Sequence, residues 1–203
     1  MGERQVVEIL PYVVLKNIVS KDFVDEIVEI GETLDTQDAT VTLNGERQKV
    51  KKETRISEVS FFDDEDQHYI EEILKPIVRT VNHLNNWNVK FFDDYNYAQY
   101  TKYNVGGYYK FHMDNRENIN KNRKISMTLL LNDSRKDFEG GEFEFKSSNE
   151  SSIILDELTD RGDMVIFPSH LVHRVNPITK GVRKSLVMWW TGEELIDNEL
   201  VVS

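Results

Sequence analysis

The chain contains no cysteine. That excludes disulfides, zinc–thiolate sites, iron–sulfur clusters and cysteine nucleophiles. Proline and glycine are sparse, 4 and 10 in 203 residues, which rules out collagen-like or low-complexity composition. No apolar run approaches the roughly 20 residues that a membrane helix needs. The opening MGERQVVEILPYVV lacks the basic start, apolar stretch and small-residue cleavage site of a secretory signal. Val6 stands where a myristoylation motif wants Ser or Thr. A cytoplasmic protein is therefore expected. Basic residues are outnumbered, 25 against 36 acidic ones, for a formal net charge of −11. Such a surface repels phosphate backbones, so neither nucleic acid nor membrane is expected as a partner. One stretch, RQKVKKETR at 47–55, runs against that balance and reads as a solvated loop or hairpin.

What is present is ordinary globular composition, 39% hydrophobic, at a length suited to one domain. Residues 1–87 read as mostly helical support with early strands, and 88–203 as a strand-rich core. A short apolar run covers 12–15. Ser20 offers an N-cap, Phe23, Val24, Ile27, Val28 and Ile30 follow at helical spacing, and Gly31 suggests the stop. A second helical pattern runs over 70–81, where Pro76 is expected to kink or divide it. Between them, 36–53 is polar and weakly patterned, a loop or hairpin with the position of a substrate lid. Strands are expected at 55–62, 89–92, 98–103, 109–113, 125–131, 142–145, 152–155, 164–167, 172–175 and 185–190, with turn residues between most of them. That spacing suggests a sandwich or jelly roll, with the early helices on one face.

Within that pattern, His112-Met113-Asp114 sits in a strand-like run. Alternate side chains of a strand share a face, so 112 and 114 can grip one metal ion. Two His and one carboxylate leave coordination positions open, an arrangement suited to iron(II) enzymes. Of the five histidines, His68 and His83 lie on helical patterns and read as surface or packing residues. His170 and His173 are three apart, so only one of them can join the site. The choice of His173 rests on Arg183, ten residues on, beyond a turn at 176–181 and at the start of another strand. Paired strands would bring both side chains into one cavity.

At 97–192 the chain resembles the iron(II)/2-oxoglutarate dioxygenases of the prolyl 4-hydroxylase-like group, above all the small single-domain forms of bacteria and their viruses. The matching stretches are QYTKYNVGGYYKFHMD, RKISMTLLLN, FEGGEFEF and GDMVIFPSHLVHRVNPITKGVRKSLVMWW. The resemblance implies a double-stranded β-helix (jelly roll), mainly β with supporting helices. It implies iron(II) on His112, Asp114 and His173, and the distal carboxylate of 2-oxoglutarate on Arg183, helped by Tyr103 and by Thr128. Trp189 and Tyr109 are the expected substrate-pocket residues, although in a regular strand Tyr109 faces away from His112. Trp190 and Tyr100 read as core. O2 is the second cosubstrate and ascorbate a candidate reductant. Asp114 argues against the halogenases, which lack this carboxylate. Trp189 stands where the nucleic-acid repair oxygenases carry a second Arg.

The implied reaction is hydroxylation of an unactivated C–H bond, with C4 of a prolyl residue in a peptide or protein as the expected target. The setting would be the cytoplasm of a bacterium or a phage-infected host. A free amino acid or other small metabolite is the alternative substrate. A non-catalytic jelly-roll binding module would need neither three convergent ligands nor Arg183. A zinc hydrolase could use two His and one Asp but leaves Arg183 and Tyr103 unexplained.

Overall fold

The computed structural model describes residues 11–38, 40–43, 46–49, 53–92, 98–115, 120–146 and 151–193. Two antiparallel sheets face each other. The larger has the strand order Val13–Leu15, Met164–Pro168, Arg123–Leu130, Arg183–Thr191, Gln99–Tyr103, Glu58–Phe61 and Gln37–Asp38. The smaller runs Ser152–Ile154, Phe143–Lys146, His173–Val175, Tyr108–His112 and Arg55–Ile56. Neighbours in space are mostly distant in sequence, the crossing pattern of a double-stranded β-helix. Strands from the first third of the chain belong to both sheets, so that segment supplies more than helical support.

Binary patterning explains the layers. In Arg123–Leu130, Ile125, Met127 and Leu129 point one way while Ser126 and Thr128 point the other. Leu186, Met188 and Trp190 alternate likewise with Arg183, Ser185 and Val187. The apolar rows form one core with helix Lys21–Thr33 (Phe23, Val24, Ile27) and helix Asp64–Leu84 (Ile70, Leu74, Val78, Val81). Tyr100 and Trp190 lie in that core, as expected. The polar rows face the smaller sheet and build a cavity.

Several local expectations are corrected. Gly31 does not end the first helix, which runs on to Thr33. It is small because a Cβ there would stand 2.5 Å from the Tyr100 ring. Pro76 does not divide the second helix. Its missing N–H leaves the carbonyl of Glu72 without an intrahelical donor, and Glu72 is exposed to water. Residues 89–92 form no strand, only an isolated bridge from Phe91 to Gly192. The turn at 176–181 contains a strand, Ile178–Gly181, paired with Phe138–Gly140, which the sequence pattern did not reveal. Residues 36–53 include a hairpin, Thr40–Leu43 against Glu46–Lys49.

Candidate active site

His173 and His112 sit directly opposite each other on adjacent strands, with ring centroids 4.2 Å apart. Asp114 completes the group, and one ligand atom from each residue lies within 4.8 Å of the others. The reason differs from strand alternation, because the strand ends at His112. Asp114 is carried inward by the following bend, whose N–H groups at Asp114 and Asn115 both donate to the Ser169 carbonyl at 3.0 and 3.1 Å.

The donor set fits a divalent cation. Each imidazole Nδ1 lies against a carbonyl two residues back, Lys110 at 2.8 Å and Leu171 at 2.9 Å. A carbonyl only accepts, so Nδ1 carries a proton, and in the neutral ring Nε2 keeps its lone pair. Both Nε2 atoms converge on the carboxylate, His112 at 3.5 Å and His173 at 3.6 Å. Burial opposes the Asp114 charge, but the flanking His173 and His112 together with Arg123 hold the carboxyl well below its usual range. Burial, reinforced by His112, pushes His173 down to about 4, so it is neutral at pH 7. Two imidazole nitrogens and a carboxylate converging in one buried corner are a donor set suited to a divalent cation.

Across the cavity, Arg183 pairs in register with Tyr103. Its guanidinium is 1% exposed and donates to Ser185 Oγ at 3.1 Å. Its Nε and Nη2 have no partner among the described residues. Burial pushes the group down to about 10, with Tyr103 opposing, so it remains charged at neutral pH. A buried cation with unmet planar donors fits a carboxylate, which can accept two parallel bonds. Tyr103 and Thr128 line the same small cavity, which also holds His112, Asp114 and His173.

The expected pocket residues are placed less uniformly. Tyr109 does not face away from His112. Val175 pairs with Tyr109 while His173 pairs with His112, so an extra residue bulges the 109–112 segment and returns Tyr109 to the same side. Its ring lies on the His112 imidazole at 3.4 Å and 15°. Trp189 shares the face of Arg183 but does not line the cavity. Instead the Arg123 guanidinium covers its ring at 3.7 Å. His170 is exposed in a turn, and His68 and His83 are exposed on the second helix.

Four functional neighbours escaped the sequence reading. Arg55, the last residue of the basic run, is buried, lines the cavity and lies 4.7 Å over the Tyr109 ring. Gln99 lines the cavity and donates to Thr101 at 2.7 Å. Ser126 and Ser169 reach Asp114. The one available signal was alternation in ISMTLLL, where Ser126 and Thr128 interrupt an otherwise apolar run.

A jelly roll with two His and one carboxylate facing a cavity is an arrangement suited to non-haem iron(II) oxygenases. Residues 98–191 match the family model of the 2OG-Fe(II) oxygenase superfamily. A PKHD-type hydroxylase of Idiomarina loihiensis is 42% identical over 89 residues, 43% of this chain and 38% of that protein. One from Janthinobacterium sp. (strain Marseille) is 28% identical over 174 residues, 81% of this chain and 72% of that protein. Apart from the latter, the chain spans about two fifths of the length of such curated relatives. A Trichoplax adhaerens prolyl hydroxylase, solved with a hypoxia inducible factor peptide fragment, superposes with a TM-score of 0.70 at 16% identity, covering 90% of this chain and 84% of that one. A Pseudomonas putida prolyl-4-hydroxylase gives 0.64 at 16%, covering 90% and 93%. At that identity the likeness is one of fold. Over residues 98–191 the chain is thus similar to the 2OG-Fe(II) oxygenase superfamily, and in fold it is similar to prolyl hydroxylases.

Proposed function

We propose that this chain is an iron(II)- and 2-oxoglutarate-dependent hydroxylase, and that its target is C4 of a prolyl residue in a peptide or protein. The observation that carries the reading is Arg183: a buried, unsatisfied guanidinium opening onto the cavity that holds His112, Asp114 and His173. In this reading the three residues hold iron(II), and Arg183 holds the distal carboxylate of 2-oxoglutarate with Tyr103 and Thr128 beside it. When bound, the iron with 2-oxoglutarate and O2 supplies the oxidising power to hydroxylate an unactivated C–H bond, releasing succinate and CO2.

The protein's own part is positional. Lys110 and Leu171 carbonyls fix both imidazole tautomers, so each Nε2 faces the metal position. The Tyr109 ring shields His112 from water. Arg55 lines the cavity from the smaller sheet, across from Arg183's strand, and lies over the Tyr109 ring. The peptidyl target is supported by two fold neighbours, a prolyl-4-hydroxylase and a prolyl hydroxylase solved with a peptide fragment. The setting we infer is the cytoplasm, with the chain working as one domain; no helix among the described residues is long and apolar enough to cross a membrane. A small-molecule substrate is favoured by one feature: Arg55 adds a second buried cation to a small cavity, which suits a free carboxylate.

The test is succinate formation under air with iron(II), 2-oxoglutarate and two panels, proline-containing peptides and free amino acids, reading product mass. Peptide-dependent succinate with one added oxygen, lost in His112→Ala, supports the peptidyl reading. Turnover of free amino acids alone replaces it with the small-molecule one. No succinate with iron bound overturns both.

A further inference from the structure

Asp114 lies beyond the end of its strand, so the backbone ladder that fixes His112 and His173 does not fix it. The carboxylate is held instead from the opposite sheet. Ser126, on Arg123–Leu130, places Oγ 2.8 Å from Asp114 Oδ2. Ser169, just after Met164–Pro168, places its Oγ 2.8 Å from Ser126 Oγ. Both serines are buried, at 1% and 0% exposure. An ionised carboxylate only accepts, so Ser126 must give its proton to Asp114. Its oxygen then accepts from Ser169. The polarity of the chain is thereby determined: Ser169 to Ser126 to Asp114.

Ser169 also grips the bend through its backbone and is itself anchored to the neighbouring strand. Its carbonyl takes the N–H groups of Asp114 and Asn115, and its own N–H donates to the Lys124 carbonyl at 2.9 Å. Asn115 Nδ2 donates to the Arg123 carbonyl at 2.8 Å. The bend is thus docked on the neighbouring sheet through backbone bonds, while the serine hydroxyls set only the rotation of the carboxylate. The hydroxyl is spent on Oδ2. Oδ1, which faces His112 Nε2, has no hydroxyl partner among the described residues.

We propose that Ser126 and Ser169 are positioning residues for the metal centre, a directed hydroxyl relay that orients the Asp114 carboxylate and keeps Oδ1 for the metal. The proposal rests on the reading of His112, Asp114 and His173 as metal ligands. Without the relay the carboxylate turns freely and can chelate through both oxygens, closing a coordination position that the cosubstrates need. Outer hydrogen bonds of this kind are worth about 10- to 100-fold in metal affinity.

Cobalt(II) titration without oxygen tests it, because cobalt absorption reports both affinity and coordination number without turnover. Ser126→Ala is expected to raise the cobalt Kd about tenfold or more and to change the spectrum. Ser126→Thr, which keeps the hydroxyl, is expected to restore both. Ser169→Ala is expected to fall between, and to add nothing when Ser126 is already Ala. With active protein, the Ser126→Ala variant should also release more succinate per hydroxylated product. A Ser126→Ala Kd within twofold of the parent, with the parent spectrum, overturns the relay. If Ser126→Ala does not fold, a Ser169→Ala protein indistinguishable from the parent overturns it equally. A parent protein that binds no cobalt overturns the metal-centre reading itself.

Discussion

Arg183 weakens the fold that contains it. A guanidinium in a buried position with Nε and Nη2 unmet carries a desolvation cost that its single bond to Ser185 does not repay. Replacing it with Met, similar in length and apolar, is expected to stabilise the metal-free protein by about 2 kcal/mol, read as a higher melting temperature. The same variant is expected to lose 2-oxoglutarate binding, read by calorimetry. With metal and cosubstrate saturating, the order of melting temperatures should reverse, since only the parent gains binding energy. A parent that melts above Arg183→Met under every condition would show that the guanidinium is internally satisfied. At this scale the sequence was legible for a chemical reason. His, Asp and Arg have few uses in such a pattern, and five histidines left few choices. What it could not show was the local backbone. The bulge that turns Tyr109 onto His112 and the bend that carries Asp114 inward are tertiary events, and serine or a cavity-facing Arg55 looks like any polar surface residue until burial is known.

Elements are joined to the barrel by a few specific contacts, and these are open to test. Glu32, near the end of the first helix, accepts from Tyr100 at 2.7 Å and Lys184 at 2.8 Å through Oε1, and from Lys102 at 3.2 Å through Oε2. One carboxylate thus ties the helix to two central strands. Burial opposes its charge, but Lys184, Tyr100 and Lys102 outweigh burial and hold it down to about 2. The folded-state value lies below the ordinary one of 4.5, so the tie contributes fully above that pH and is lost as pH falls toward 2. Glu32→Gln is expected to cost about 1 kcal/mol at pH 7, kept small because the side chain is more than a third exposed. In urea melts the difference from the parent should vanish near pH 2; a constant difference would contradict the tie. Gly31→Ala drives a Cβ into the Tyr100 ring and is expected to cost about 2 kcal/mol by overpacking. Pro76→Ala restores an N–H on an exposed helix face and is expected to stabilise by about 1 kcal/mol. Helix existence was readable from apolar spacing. Gly31 misled as a stop because packing against Tyr100 sets its size, and Pro76 misled as a divider because the Glu72 carbonyl it leaves without a donor is open to water.

For the whole molecule, the two sheets divide the work. The larger sheet turns its apolar rows to the helices and its polar rows, Ser126, Thr128, Arg183 and Ser185, to the cavity. The smaller sheet supplies His112 and His173 from opposed positions. The strand count and the order of turns in the sequence pointed to a jelly roll, but not which strands of the first third enter it. The strand expected at 55–62 is divided, Arg55–Ile56 in the smaller sheet and Glu58–Phe61 in the larger, a division visible only with their partners in place. In the proposed function the cavity is a single site for iron(II) and 2-oxoglutarate together. The most direct test is absorption of the protein with iron(II), without oxygen, as 2-oxoglutarate is added. A visible charge-transfer band that saturates with 2-oxoglutarate, is absent in His112→Ala and needs far more 2-oxoglutarate in Arg183→Gln is the predicted result. Iron binding with no such band, or a band unchanged in Arg183→Gln, would contradict it.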